Sequence, residues 1–300
     1  MVDAFLIFLN FYLMPGLVLG SIYALGAIGV SLIFGILRFA HFAHGDLMTL
    51  GAYLALTLVA GLGLSPLVAL PFAMAGTIVI SFGIDRFFYK PFRDKSTIVL
   101  VIASFGVALM LRSLIKVIWG VEIETYSVGI SRPLVFFDSI RIAERHIWII
   151  VLTLVLMVAV HGILTRTRIG KAMRAVSDSP ELARLAGIST ERVVKATWVI
   201  GGALAAAAGV FIGWDTQLQS SVGWNLLLPI FAATILGGIG RPYGAMAGGL
   251  IIGLAEELSS YPWIGSEPLL SPGYKTGIAF AIMVAMLIWR PSGLFRGRVY

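Results

Sequence analysis

The 300-residue chain contains no cysteine. Disulfide bonds, thiolate zinc sites and a cysteine nucleophile are therefore excluded. Charged residues are also scarce, at 12% of the chain, which is half the share of about 25% that a soluble domain carries. A chain with so few charges cannot cover a water-facing surface, so we expect it to be solvated by lipid.

The sequence also lacks a phosphate-binding loop. No G-x-x-x-x-G-K-[ST] pattern occurs, and no glycine-rich turn joins a strand to a helix. We therefore expect no ATP site and no cofactor. The net charge of +7 would suit nucleic acid, but the basic residues cluster in short segments beside apolar runs, which is typical of cytoplasmic loops. No nucleic-acid partner is expected.

Apolar runs fill most of the chain, and its mean hydropathy is +0.96. A membrane-spanning helix needs roughly 20 mostly apolar residues. The sequence therefore predicts an all-α, polytopic membrane protein, with one transmembrane domain over residues 1–300. The predicted spans are 12–36, 46–62, 66–88, 96–118, 146–164, 194–214, a pair of helices within 226–258, and 275–290. Counting the pair, which the break GGIGRPYG divides, as one re-entrant element gives eight spans instead of nine.

The basic residues predict the orientation. They are concentrated between the third and fourth spans, between the fifth and sixth, and after the last. Cytoplasmic loops carry an excess of Lys and Arg, so these three segments are expected in the cytoplasm. The charge-balanced segment 119–145 is then on the other side. With nine spans, the N-terminus lies outside and the C-terminus inside.

The long loop TRTRIGKAMRAVSDSPELARLAGISTERVVKATW has local signals of ordered structure. The sequence predicts one short helix over residues 170–176. Asp178 or Ser179 is expected to cap a second helix, with Pro180 in its first turn. Gly187 is expected to end that helix, because glycine readily takes a positive φ. The loop, about 165–195, is thus predicted to be rigid.

The second predicted helix of this loop has an apolar face. That face lacks the Trp or Phe anchors of helices that lie on lipid head groups. It therefore favours docking into a groove of a protein partner. The expected members of the face are Leu182, Ala183, Leu185 and Ala186.

The stretch GKAMRAVSDSPELARLAGI resembles the coupling loop of ABC importer permeases, in the form found in branched-chain amino-acid transporters: G-x-A-x-R-A, D-x-P, A-x-x-x-G-I. Two other stretches, GSIYALGAIGVSLIFGILRFAHFAHGDLMTLGAY and ATILGGIGRPYGAMAGGLIIG, resemble the same family, so the resemblance covers nearly the whole chain. The sequence departs from the family pattern at His41, where Asn is expected, and at Arg241-Pro242-Tyr243, where smaller residues are commoner. The matching loop residues are Gly170, Ala172, Arg174, Ala175, Asp178, Pro180, Ala183, Gly187 and Ile188.

The resemblance implies a permease subunit of an ATP-driven importer in a bacterial inner membrane. A second permease, expected to be a different chain, would complete the path for branched-chain amino acids. Two cytoplasmic ATPases would supply the energy, and an extracytoplasmic binding protein would deliver the substrate. The chain itself would catalyse no reaction. The residues expected to couple it to the ATPases are Gly170, Arg174, Ala175, Asp178, Pro180, Ala183, Arg184 and Gly187.

Two histidines stand between long apolar runs in LRFAHFAHGDLMTLGAY. His41 and His44 are three residues apart and can share a helix face. Zinc needs more ligands than these and the neighbouring Asp46 supply, and no nucleophile accompanies them. The favoured interpretation is a buried polar turn in which Asp46 caps the second span. The alternative is a substrate path at this turn and at the helix break, lined by His41, His44, Gly237, Gly238 and Gly240.

Other functions stay open at this point. A related permease could carry urea, short amides or sugars, and an intramembrane enzyme could use the two histidines and Asp46. A self-sufficient channel or secondary transporter would favour ionisable residues at helix centres, and the sequence offers almost none. Arg112 is expected to snorkel from near a helix end, and Glu256 is expected at a solvated helix end.

Overall fold

A computed structural model describes residues 6–126, 134–136, 140–263 and 268–295. In that part the chain forms eleven α-helices and one short antiparallel hairpin. A π-helical turn, Leu9–Leu13, precedes the first helix, and Asp85–Tyr89 and Lys90–Phe92 prolong the third. The helices are α1 Met14–Leu37, α2 Ala43–Leu62, α3 Pro66–Ile84, α4 Thr97–Trp119, α5 Glu144–Arg166, α6 Arg168–Asp178, α7 Pro180–Leu185, α8 Thr190–Asp215, α9 Val222–Gly237, α10 Pro242–Leu258 and α11 Lys275–Trp289, and the strands are β1 Leu134–Phe136 and β2 Ile140–Ile142.

The predicted all-α membrane architecture is confirmed. Seven helices of the described part are long and apolar enough to cross a membrane. The break divides α9 from α10, which have 16 and 17 residues and are shorter than the roughly 20 of a full span. Gly238 and Gly240 produce this break, since their φ angles of 103° and 77° are incompatible with a right-handed helix.

Helices α1 and α8 form the centre of the bundle. Their most apolar windows are 83% buried, whereas those of α3 and α4 are 33% buried and that of α5 is 22% buried. The outer helices therefore present their apolar side chains to lipid. In the centre, small residues let backbones touch: a side chain on Gly249 would overlap Ala24 of α1, and one on Gly209 of α8 would overlap the Met48 carbonyl.

The basic segments of the chain lie together at one end of the bundle. The Lys90 ammonium, after α3, is 2.6 Å from the Glu191 carboxylate at the start of α8. The α9–α10 break is at the same end, where Gly240 packs on Gly35 of α1. Acidic groups are prominent at the opposite end, where Asp215 lies 2.9 Å from His146.

Candidate functional site

The loop after α5 forms two consecutive capped helices. Thr167 caps α6, because its hydroxyl accepts the Gly170 N–H at 3.0 Å, and the helix is therefore longer than the predicted 170–176. Ser179, and not Asp178, caps α7 by accepting the Leu182 N–H at 3.4 Å. Pro180 opens α7 as predicted.

Gly187 ends α7 as the sequence predicted, with a φ of 77°. The Ile188 N–H reaches back to the Ala183 carbonyl at 2.9 Å, and the Gly187 N–H donates to the Arg184 carbonyl at 2.9 Å. Both bonds satisfy carbonyls that a helix end would otherwise leave open. The turn from α7 into α8 is therefore fixed by these backbone hydrogen bonds.

Helix α6 is anchored on the end of α5. Gly170 touches the backbone there, since an added Cβ would overlap the Ile163 carbonyl and Leu164. The Arg174 guanidinium donates to the Leu164 carbonyl, which the end of α5 leaves unpaired. Met173 and Val176 are buried against the bundle, and Ala175 is half-buried. A displacement of α6 must therefore move α5 with it.

The exposed face of α7 differs from the one predicted. Leu182 is 67% exposed and Leu185 is 85% exposed, and Ala186 is also exposed. Their spacing of three and four residues places them on one side. Ala183 is only 4% exposed and packs on the rest of the chain, so its assignment to the free apolar face is wrong. The face available to a partner consists of Leu182, Leu185 and Ala186.

The surroundings of α7 are rich in positive charge. A cavity beside α7 is bordered by both acidic and basic side chains, and the basic ones predominate. Such a rim suits acidic groups on a partner. The charged residues at this cavity are Arg38, Lys90, Arg93, Asp94, Arg184 and Glu191.

The α1–α2 turn runs back into the bundle. Arg38 ends α1 in the left-handed conformation, with a φ of 59°. Helix α2 then begins at Ala43, three residues before the predicted start. Asp46 does not cap it, which corrects the sequence-based interpretation. Its carboxylate instead receives Nε and Nη2 of Arg112, each at 3.0 Å.

The two histidines lie in a buried polar and aromatic cluster. His41 Nε2 is 3.0 Å from the Tyr89 hydroxyl, and its ring meets Trp198 with centroids 5.2 Å apart. His44 packs on Gly29 of α1. Neither histidine is exposed in this conformation. Among the described residues, no group of three or more His, Asp or Glu side chains is arranged to hold a metal ion.

Arg112 does not snorkel, contrary to the sequence-based expectation. It lies roughly two turns inside the end of α4, and its side chain is 16% exposed while that of Asp46 is fully buried. The guanidinium carbon also lies over the Trp224 ring, 4.6 Å from its centre. Two opposite charges in largely apolar spans could have suggested this pair, because ions within a membrane need partners.

Glu256 was also misassigned from the sequence. It is 3% exposed, and it accepts the Tyr23 hydroxyl at 2.8 Å across the α1–α10 contact. Its neighbour Glu257 pairs with Lys275 at 2.6 Å. Glu256 therefore links two central helices and does not end a helix in solvent.

The glycines at the helix break pack against other parts of this chain. Gly237 touches Gly244 so closely that neither can carry a side chain. Gly238 contacts Gly293, and the Leu294 N–H donates to the Leu236 carbonyl at 2.8 Å. Gly240 lies against Gly35 of α1. These contacts favour a structural role, and a path lined by Gly237, Gly238 and Gly240 stays a prediction.

Comparison with known proteins places the chain in a family. Residues 12–287 match the family described as "Branched-chain amino acid transport system / permease component". The chain is 35% identical to the high-affinity branched-chain amino acid transport system permease protein LivH of Escherichia coli K12, over 98% of this chain and 97% of that one. It is 32% identical to BraD of Pseudomonas aeruginosa, a permease of the same description, over 94% of each.

The fold is also that of a solved transporter. An inward-facing ABC transporter aligns with 95% of this chain and 88% of its own, with a TM-score of 0.53 and 15% identity. That likeness supports the fold alone, and the sequence matches carry the family. The chain therefore belongs to the family of permease components of branched-chain amino acid transport systems.

Proposed function

We propose that this chain is one of two membrane permease subunits of an ATP-driven importer for branched-chain amino acids. The observation that carries the proposal is the loop at the basic end of the bundle. It joins an anchored helix, α6, to a capped helix, α7, that presents Leu182, Leu185 and Ala186. The likeness to LivH and BraD, both named as branched-chain amino acid permeases, supports the substrate class.

The energy comes from partner subunits in this proposal. The sequence contains no phosphate-binding loop of its own, so ATP must bind to other subunits. In this proposal two cytoplasmic ATPases hydrolyse ATP and push on α7. Because α6 is fixed to the end of α5 through Gly170 and Arg174, the push is passed to the membrane helices as a rigid-body displacement. A loosely held loop would absorb it.

The remaining partners and the orientation follow from the same reasoning. The excess of Lys and Arg at one end of the bundle supports a cytoplasmic position for that end, and in this proposal the C-terminus is inside and the N-terminus outside the inner membrane. A substrate-binding protein docks on the opposite end. A second permease, a different chain, completes the path, and the chain itself catalyses no reaction.

The ionisable groups in the membrane favour a permease over an ion-coupled transporter. Asp46 is paired with Arg112, and Glu256 is bonded to Tyr23. Coupling to protons or sodium needs a group that exchanges its partner ion during transport, and both carboxylates already serve as contacts between helices. Their arrangement is that of groups that hold helices together.

The proposal is tested by purifying the complex from its native membrane and reconstituting it in liposomes. We expect the ATPases and a second permease to co-purify. We also expect the liposomes to take up labelled leucine, isoleucine or valine when ATP is supplied on the side of the ATPases. Competition by excess urea, a short amide or a sugar distinguishes the related permeases. A lone oligomer that moves solute without ATP would contradict the proposal.

A further inference from the structure

The Asp46–Arg112 pair brings two charges to a side of the bundle whose other exposed side chains, such as Leu109 and Val117 of α4, are largely apolar. Helices α4 and α9 both pack on α2, which carries Asp46. The Arg112 side chain is partly exposed, and its sequence neighbour Ser113 in α4 and Asn225 in α9 are exposed as well. Polar and charged groups within the membrane face a cavity or another protein. This side therefore borders a path or a subunit contact.

Aromatic side chains extend from the pair along the same side. Phe105 meets Trp224 with ring centroids 5.8 Å apart, and Phe42 meets Phe231 at 5.4 Å and Phe105 at 6.3 Å. Phe105 is 43% exposed, and the other three are half-buried. We call Phe42, Phe105, Trp224 and Phe231 the aromatic patch. It offers an apolar surface next to the Asp46–Arg112 ion pair.

The guanidinium of Arg112 keeps part of its donor capacity. Nε and Nη2 bind Asp46, and Nη1 takes no part in that pair. A guanidinium carries five N–H donors in a planar fork. Asp46 fixes the orientation of this fork and balances its charge, and the guanidinium carbon lies over the Trp224 ring, 4.6 Å from its centre. The free edge can receive one carboxylate.

We propose that Arg112 binds the α-carboxylate of the transported amino acid while its aliphatic side chain lies on the aromatic patch. Asp46 is a positioning residue that holds the guanidinium in place. This inference rests on the proposed function, because it names the residues that the substrate meets on its way between the two permeases. An apolar side chain beside one anchored carboxylate is the chemistry of a branched-chain amino acid.

The test compares two neutralised ion pairs in the reconstituted complex. Asp46→Asn with Arg112→Gln removes the charge of the proposed site but keeps polar partners of similar shape. Glu257→Gln with Lys275→Gln is the matched control, because it neutralises a pair of 2.6 Å elsewhere. The measurements are co-purification of the second permease and the ATPases, ATP hydrolysis, and uptake of labelled leucine.

For the Asp46–Arg112 double variant we expect intact assembly and ATP hydrolysis. Uptake should fall roughly ten- to a hundredfold, the loss typical of a hydrogen bond to a charged group. The control should stay within about twofold of wild type, as for substitutions outside a site. Arg112→Lys alone should recover part of the uptake, because it restores the charge without the fork.

Three results would overturn the inference. They are undiminished uptake in the Asp46–Arg112 double variant, equal losses in both double variants, or loss of the second permease, which would make the pair an assembly contact. If the wild-type complex transports no amino acid, the proposed function fails as well. If only the variants contradict the expectation, the proposed function stands and the assignment of Arg112 fails.

Discussion

The cytoplasmic loop and the membrane centre are held together by different kinds of contact. The bonds that shape the loop join residues three to ten positions apart, as in Thr167 to Gly170 and Arg174 to Leu164. The bonds between membrane helices join residues 66 positions apart in Asp46–Arg112 and 233 apart in Tyr23–Glu256. The loop is therefore a locally determined unit that can transmit a push, and the centre is a set of helices fixed by distant partners.

The largest expected effect comes from breaking the ion pair between membrane helices α2 and α4. Arg112→Leu leaves the buried Asp46 without its partner, which typically costs roughly 3–5 kcal/mol. We expect little folded protein in detergent. Replacing both residues by Leu should restore much of the thermal stability, because two apolar side chains leave no buried charge without a partner. Thermal unfolding followed by tryptophan fluorescence checks this, and equal stability of the single and double variants would contradict it.

The second prediction compares a glycine at a close contact between helices with a glycine on an open helix surface. Gly209→Ala would place a methyl group onto the Met48 carbonyl, and the resulting overpacking should cost about 1–3 kcal/mol. Gly162→Ala is the control, since nothing lies within 4 Å of an added Cβ there. It should be neutral or stabilising by up to about 1 kcal/mol. If the two variants unfold at the same temperature, the packing argument is refuted.

A third effect should be confined to the loop. Ala183→Trp forces a large ring under α7, where the native side chain is buried, and overpacking of about 1–3 kcal/mol is expected. Hydrogen exchange should accelerate in α6 and α7 but not in α1 or α8. Leu182→Trp, at a position that is 67% exposed, serves as the control. Acceleration across the whole chain would mean that the loop and the centre are not separate units.

The smallest effect concerns the end of α7. Gly187 has a φ of 77° and open space around it, so Gly187→Ala meets no neighbour and changes only the backbone preference. The expected cost is about 1–2 kcal/mol, the price of a left-handed conformation for a residue with a Cβ. Gly187→Asn, which tolerates that conformation better, should cost less. The two variants should be ranked by hydrogen exchange at Ile188, and the reverse order would refute the account of this stop.

The loop and the spans could be predicted from the sequence because their signals are local. Apolar runs gave the helices, and Pro180 and Gly187 marked the start and stop of α7. The assignments that failed concern Asp46, Arg112, Glu256 and Ala183. Each depends on which distant element a side chain meets. A single sequence does not show which distant residues meet. Two opposite charges in apolar runs were nevertheless a usable signal for the Asp46–Arg112 pair.

The central claim is that ATPases drive this permease through the exposed face of α7. The most direct measurement is co-purification of the ATPases with Leu185→Asp, at a position that is 85% exposed. Val121→Asp is the control, since Val121 is 70% exposed after α4, outside the α6–α7 loop. The account predicts that Leu185→Asp keeps the second permease but loses the ATPases and ATP-driven uptake, whereas Val121→Asp keeps the ATPases. Full ATPase binding and normal uptake in Leu185→Asp would contradict it.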